Sequence, residues 1–185
     1  MRPAIRFLLG DQPRELTDID PTMTVLRWLR EVEGRVGSKE GCAEGDCGAC
    51  TVVLAEVRDG NLVWRAVNAC IQFMPTLDGK QLLTVEDLKA ADGTLHPVQQ
   101  AMVDKHGSQC GFCTPGFVMS LHALYQQGGT QDRLEIDNAL AGNLGRCTGY
   151  GPIVAAARAM MDYDTPAPGG LTVAAVIDQL TTWQD

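Results

Sequence analysis

The sequence predicts an α+β fold in two parts, a small sheet crossed by one helix and then a compact group of helices. Two patterns carry that prediction. Over residues 1–91, short apolar runs of strand length alternate with turn signals, and one stretch has helical periodicity. Over residues 92–161 no convincing strand appears, and helix starts and stops recur instead. The seven cysteines divide along the same line, Cys42, Cys47, Cys50 and Cys70 in the first part and Cys110, Cys113 and Cys147 in the second.

Residues 5–9 form an apolar run, Gly10-Asp11 is a turn signal, and residues 14–16 return as a short strand, together a hairpin. Asp20-Pro21-Thr22 reads as a helix start. Val25, Leu26, Leu29 and Val32 then fall on one face of a helix ending near Gly34, with Trp28 off that stripe as a surface aromatic. After the cysteine loop, residues 51–54 and 61–67 read as strands joined at Asp59-Gly60. A last strand is expected over residues 82–85 and a short helix over residues 85–90.

In the second part, Pro97 suits a first helical position and Gly107 a stop, giving a helix over residues 97–106. Thr114-Pro115 opens another, with Phe117, Val118, Leu121, Leu124 and Tyr125 on one face and Gly128 as its end. Asp132 with Glu135 resembles a capping box for a third helix, to about Leu140. Gly151-Pro152 begins a fourth, with Ile153, Ala156, Ala157, Met160 and Met161 facing inward. Short loops between four such helices suggest a bundle. Residues 165–170 have linker composition, and residues 171–183 suit one more helix. The expected domains are therefore residues 1–91 and 92–163, with 164–185 as linker and terminal helix.

A formal net charge of -8 argues against nucleic acid or an anionic membrane as partner, since both require a basic face. No targeting segment is visible, and no apolar run approaches the ~20 residues of a membrane-spanning helix. An odd number of cysteines in two groups fits metal ligation in a reducing compartment better than a disulfide scaffold, so a cytoplasmic location is expected. Glu44 and Asp46 read as a solvated acidic rim, and no nucleophile-plus-base arrangement or phosphate loop stands out.

Cys42, Cys47 and Cys50 have the C-x4-C-x2-C spacing of a plant-type [2Fe–2S] site, with Cys70 as fourth ligand from a later segment. Gly41, Gly45 and Gly48 let the backbone wrap closely around sulfur. A structural zinc site is the alternative for four cysteines. Cys110, Cys113 and Cys147 each precede an expected helix N-terminus, where partial positive charge favours thiolate. By themselves these three fit zinc, a cluster or buried thiols equally.

Residues 41–52, 95–100, 106–116 and 142–150 resemble the iron–sulfur region of the molybdenum hydroxylases, and the likeness runs over residues 5–161. The resemblance implies a ferredoxin-like β-grasp domain followed by a four-helix bundle, each holding one [2Fe–2S] cluster, the second on Cys110, Cys113 and Cys147. It implies an oxidoreductase in which electrons pass from molybdopterin on a large subunit through both clusters to FAD on a flavin domain or subunit, then to NAD. It also implies that Gln109 contacts the pterin. With the chain stopping at Asp185, the flavin and molybdenum sites are expected on other domains or chains. A free-standing ferredoxin-like carrier and a zinc-stabilised interaction module are the competing functions.

One departure stands out. The family reads Cys-Arg-Cys where this chain reads Gly145-Arg146-Cys147, so the second cluster lacks a thiolate. An altered residue in an otherwise ordinary protein, a fourth ligand from water or another side chain, and an empty or degraded site all explain it. His106 and His122 are the imidazoles at hand, yet each has a structural reading, His106 as a cation in a helix's last turn and His122 beside an apolar stripe.

Overall fold

The computed structural model describes residues 4–165 and 170–184, which form a mixed α/β structure of one five-stranded sheet and six helices. Strands β1 (Ile5–Leu9) and β2 (Gln12–Leu16) are the expected hairpin, turned at Gly10 with a positive φ. Helix α1 (Val25–Glu31) follows, then β3 (Thr51–Arg58), β4 (Asn61–Asn68) and β5 (Gln81–Leu83). The sheet order is β2-β1-β5-β3-β4, with β1 parallel to β5 and every other pair antiparallel.

Side chains along the strands alternate between two faces, and both faces are covered. Phe7, Leu9, Val52, Leu54 and Leu82 face α1 and share its core with Val25, Leu26 and Leu29. The alternate residues Val53 and Leu83 join the core of the helices that follow, while Leu8 meets Val176 and Leu180 of α6 (Val173–Gln184). This explains why β3 reads as an almost unbroken apolar run, the mark of a strand buried on both sides. The expectation of a sheet with one helix across it captured only the α1 side.

Four smaller expectations fail. The cap of α1 is Thr24, whose Oγ1 accepts from Arg27 N at 3.3 Å, rather than the Asp20 turn. Trp28 is 1% exposed and lies edge-on to Phe7, because β1 supplies a partner that helical periodicity alone does not reveal. Val32 is the C-cap of α1 and is exposed, since the helix ends one residue earlier. The segment after Thr84 is a single 3-10 turn (Val85–Asp87) held by a Thr84–Asp87 capping box.

Helices α2 (Pro97–Asp104), α3 (Thr114–Gln126), α4 (Arg133–Leu140) and α5 (Gly151–Ala159) surround a second core centred on Phe117, Leu121, Ile136, Ile153 and Met160. Pro97 and Pro115 occupy first-turn positions, and Asp132 caps α4 by accepting from Leu134 N and Glu135 N. Met161 lies past the end of α5 and is exposed, against expectation. His106 falls beyond α2 with φ 56°, so it is not a last-turn cation. The expected linker lies largely outside the described residues.

His96 and His122 sit edge-to-face at 4.8 Å between the sheet and the helices, and both are buried. His96 caps α2 through Nδ1, which accepts from Val98 N at 3.2 Å and so is unprotonated. Burial pushes His96 down to about 4, and burial with the neighbouring His96 pushes His122 down to about 3. The unfolded chain regains the ordinary value of 6.5 and binds protons that the folded chain refuses. The stability these rings confer is thus fully present above that value and is lost as pH falls toward 4. We expect urea unfolding to show a loss of about 1.4 kcal/mol per pH unit per histidine below this point, and His122→Leu to flatten the decline between about pH 6 and about pH 5. An unchanged slope in that variant would remove His122 from the account.

Candidate metal centres

The first cysteine loop is positioned by a turn ten residues away. Asp59 and Gly60 both have positive φ, 50° and 75°, as a two-residue hairpin loop of type I′ requires. That loop fixes the register of β3 on β4, ending with Thr51 opposite Asn68. Continuing the register by one pair sets Cys50 opposite Ala69, whose N–H donates to Cys50 O at 3.4 Å, and Cys70 follows directly. The start of α1 closes over this turn through Leu26 N to Ala69 O at 3.0 Å and Val25 N to Gln72 O at 2.8 Å. The approach to the loop is tied down separately, with Arg35 on Asp87 at 2.6 Å and Gly37 N on Glu86 Oε1 at 2.7 Å.

Within the loop the sulfurs fall into two pairs. Cys42 Sγ accepts from Cys47 N at 3.3 Å, and Cys42 and Cys47 interact through their side chains, as do Cys50 and Cys70. Backbone amides of Glu44, Cys47 and Asp46, with the Cys47 thiol, hold the Cys42 thiol down to about 6. Burial, with Cys70 and Cys47 close by, pushes Cys50 up to about 12. Two pairs of thiols, one pair half-exposed and one buried, suit a [2Fe–2S] core, which takes two thiolates on each iron.

The second group assembles from both sides of the helical part. Cys113 is the N-cap residue of α3, and Cys147 lies three residues before Tyr150, the left-handed N-cap of α5. Cys110 and Cys147 are exposed with sulfurs 3.7 Å apart, and the Phe112 amide together with Cys147 lowers the Cys110 thiol. Cys113 is half-buried and raised by that burial. Gln109 Nε2 donates to Cys147 O at 2.9 Å, bracing the two loop segments of this site from the exposed side. His122 is buried against Trp64 and His96 in the core behind.

The donor set tests the two sites differently. The first offers four thiols with amides aimed at sulfur and fits a [2Fe–2S] cluster. The second offers three, and Gly145 stands where the fourth belongs: a Cβ on it would lie 3.4 Å from Cys113 Sγ.

Sequence reasoning missed the joint between the sites. Leu144 N donates to Cys47 O at 2.9 Å, and Asn143 Nδ2 donates to Gly48 O at 3.0 Å and Thr51 Oγ1 at 3.1 Å. Ser120 of α3 completes Asn143 by donating to Oδ1 at 2.6 Å. This contact needs two bare backbones. A Cβ at Gly116 would come within 2.1 Å of Gly48 O, and one at Gly48 within 2.1 Å of Gly142 O. We expect Gly116→Ala to cost about 1–3 kcal/mol by overpacking, seen as a lower melting temperature. Asn143→Ala, which strands a buried Ser120 hydroxyl, should cost a similar ~1–3 kcal/mol. Wild-type melting in either variant would show the joint to be slack.

A 2Fe-2S iron-sulfur cluster binding domain model matches residues 8–74, and a [2Fe-2S] binding domain model matches residues 84–158. A xanthine dehydrogenase of Blastobotrys adeninivorans is 43% identical over 90% of this chain, which spans 12% of that relative. The quinoline 2-oxidoreductase structure from Pseudomonas putida 86 aligns with a TM-score of 0.72 at 29% identity, covering 97% of this chain and 96% of that one. The aldehyde oxidoreductase structure from Desulfovibrio desulfuricans gives 0.75 at 32% identity, covering 95% of this chain and 18% of that one. With two cluster-binding domains in this order and relatives of this kind, the chain belongs to the molybdenum hydroxylase family, of which it carries the [2Fe–2S] iron–sulfur region.

Proposed function

We propose that this chain relays electrons between a molybdopterin centre and FAD, and so onward to NAD, as part of a xanthine dehydrogenase-like enzyme of the cytoplasm. The reading rests on family membership for the chemistry and on one contact for the path. The Leu144 N–H to Cys47 O hydrogen bond joins the backbone of one cysteine site to that of the other. When bound, a [2Fe–2S] cluster takes up and returns one electron at a time.

In this reading residues 1–91 are a β-grasp domain whose Cys42, Cys47, Cys50 and Cys70 hold the first cluster. Residues 92–163 are a four-helix [2Fe–2S] domain using Cys110, Cys113 and Cys147, and residues 164–185 lead toward a flavin domain. The residues of this chain do three things. The Glu44, Asp46 and Cys47 amides stabilise negative charge at Cys42 and thereby raise the potential of the site. Asn143, Gly48 and Gly116 set the separation of the two sites rigidly. The exposed patch around Gln109, Cys110, Phe112, Leu144 and Cys147 offers the second site to a molybdenum-bearing partner, and Gln109 is the residue we place against the pterin. Among the described residues no helix is long and apolar enough to cross a membrane.

Anaerobically purified full-length chain should be coloured, contain acid-labile sulfide, and lose its visible band on adding dithionite. Cys50→Ser should remove the signal of the first site alone, and affinity capture from native extract should bring down a large molybdenum-containing chain. A colourless protein carrying zinc would overturn the reading, while a coloured protein without that partner would leave a free electron carrier.

A further inference from the structure

Phe112 stands at the seam between the two cysteine sites. It is 48% exposed, and among the described residues it belongs to none of the apolar cores. Its backbone and its ring face different sites. The Phe112 amide donates to the Cys110 sulfur of the second site. The ring lies on the first cysteine loop instead: a Cβ on Gly41 would be 3.4 Å from the Phe112 ring edge at Cε1 and 2.8 Å from Cys47 Sγ. Ring edge and sulfur thus flank one point on a backbone that carries no side chain. A side chain at that position would press on Cys47 Sγ, so the bare glycine leaves an opening beside the sulfur, and the ring covers it.

Cys47 is also the residue that the second part of the chain grips by its backbone. Leu144 N donates to the Cys47 carbonyl at 2.9 Å, and Asn143 Nδ2 donates to the next carbonyl, Gly48 O, at 3.0 Å. Cys47 is half-buried, whereas Cys50 and Cys70 are buried in the core beneath α1. The first site is therefore covered by its own core on the Cys50–Cys70 side, and on the Cys47 side by what the second loop lends it.

We infer that Phe112 is a positioning residue for the electron relay, whose ring shields the Cys47 side of the first site from water and so holds down that site's reduction potential. The inference rests on the assignment of a [2Fe–2S] cluster to Cys42, Cys47, Cys50 and Cys70. Solvent exposure is one of the protein's levers on such a potential. Reduction adds negative charge, and water favours the more highly charged form. An apolar ring in place of water therefore disfavours reduction, opposing the amides that stabilise negative charge at Cys42. The same ring keeps the approach between the two sites packed rather than wet.

The test uses the full chain, purified anaerobically, with the first-site resonance identified by its loss in Cys50→Ser. Phe112→Ala should melt like wild type, because the side chain belongs to no core. It should raise the first-site reduction potential in a redox titration and release first-site iron to a ferrous chelator several-fold faster. Phe112→Leu, which keeps an apolar cover, should return both toward the wild-type values. Three outcomes would overturn the inference: a potential and release rate unmoved in Phe112→Ala; a Phe112→Leu variant shifted as far as Phe112→Ala; or shifts that merely follow a fallen melting temperature in both variants. A colourless wild-type chain would overturn it together with the reading it rests on, whereas a coloured chain with an unmoved potential overturns this inference alone.

Discussion

The arrangement depends on a close approach of two backbones, the carbonyl of Gly48 against α3 at Gly116 and against the Asn143 amide. A carbonyl buried between two elements must find donors, and Asn143 supplies the one from across the joint, beside the Thr51 amide and hydroxyl, while spending its remaining capacity on Thr51 and Ser120. Because every group is satisfied, the joint resists sliding. Two cysteine loops from distant stretches of chain are thereby fixed to one another through a handful of polar atoms. In an electron carrier that rigidity matters, since the protein's contribution is to set position and potential rather than to make bonds.

The two sites differ in how the surroundings treat sulfur. Cys50 and Cys70 belong to the core beneath α1, where their side chains serve as small apolar residues. Cys110 and Cys147 lie at the surface beside Phe112 and Leu144, two exposed apolar side chains. One site is thus sheltered by the chain's own core, and the other opens to the surface through Cys110 and Cys147. That contrast agrees with a module that meets a partner at its second site.

Much of this was legible in the sequence where a local chemical rule leaves little choice. The C-x4-C-x2-C spacing identifies the first loop, and Asp59-Gly60 identifies a tight hairpin, from which counting pairs backwards brings Cys50 to Cys70. Proline at helix starts and Asp132 as a cap behaved likewise. The larger failures share a cause, which is that they were decided by something distant in sequence. Trp28 is buried by β1, and the second face of β3 by α3 and α6. Asn143 lay inside a motif that carried the resemblance. An asparagine just after a helix has many local uses, however, and nothing nearby singled out its role as a bridge. Gly145 is the opposite case: its oddity was plain in the sequence, but which sulfur it deprives of a partner required coordinates.

The double burial of β3 bears on how freely such modules are exchanged. Val53 and Leu83 are strand residues by sequence, yet they lie in the interior that Phe117 and Leu121 of α3 occupy. A cut at the compositional boundary would leave the strand half with an uncovered oily face and the helical half without one of its walls. The two halves are therefore one cooperative body with a shared partition. Swapping either into another oxidoreductase would require carrying the partition along.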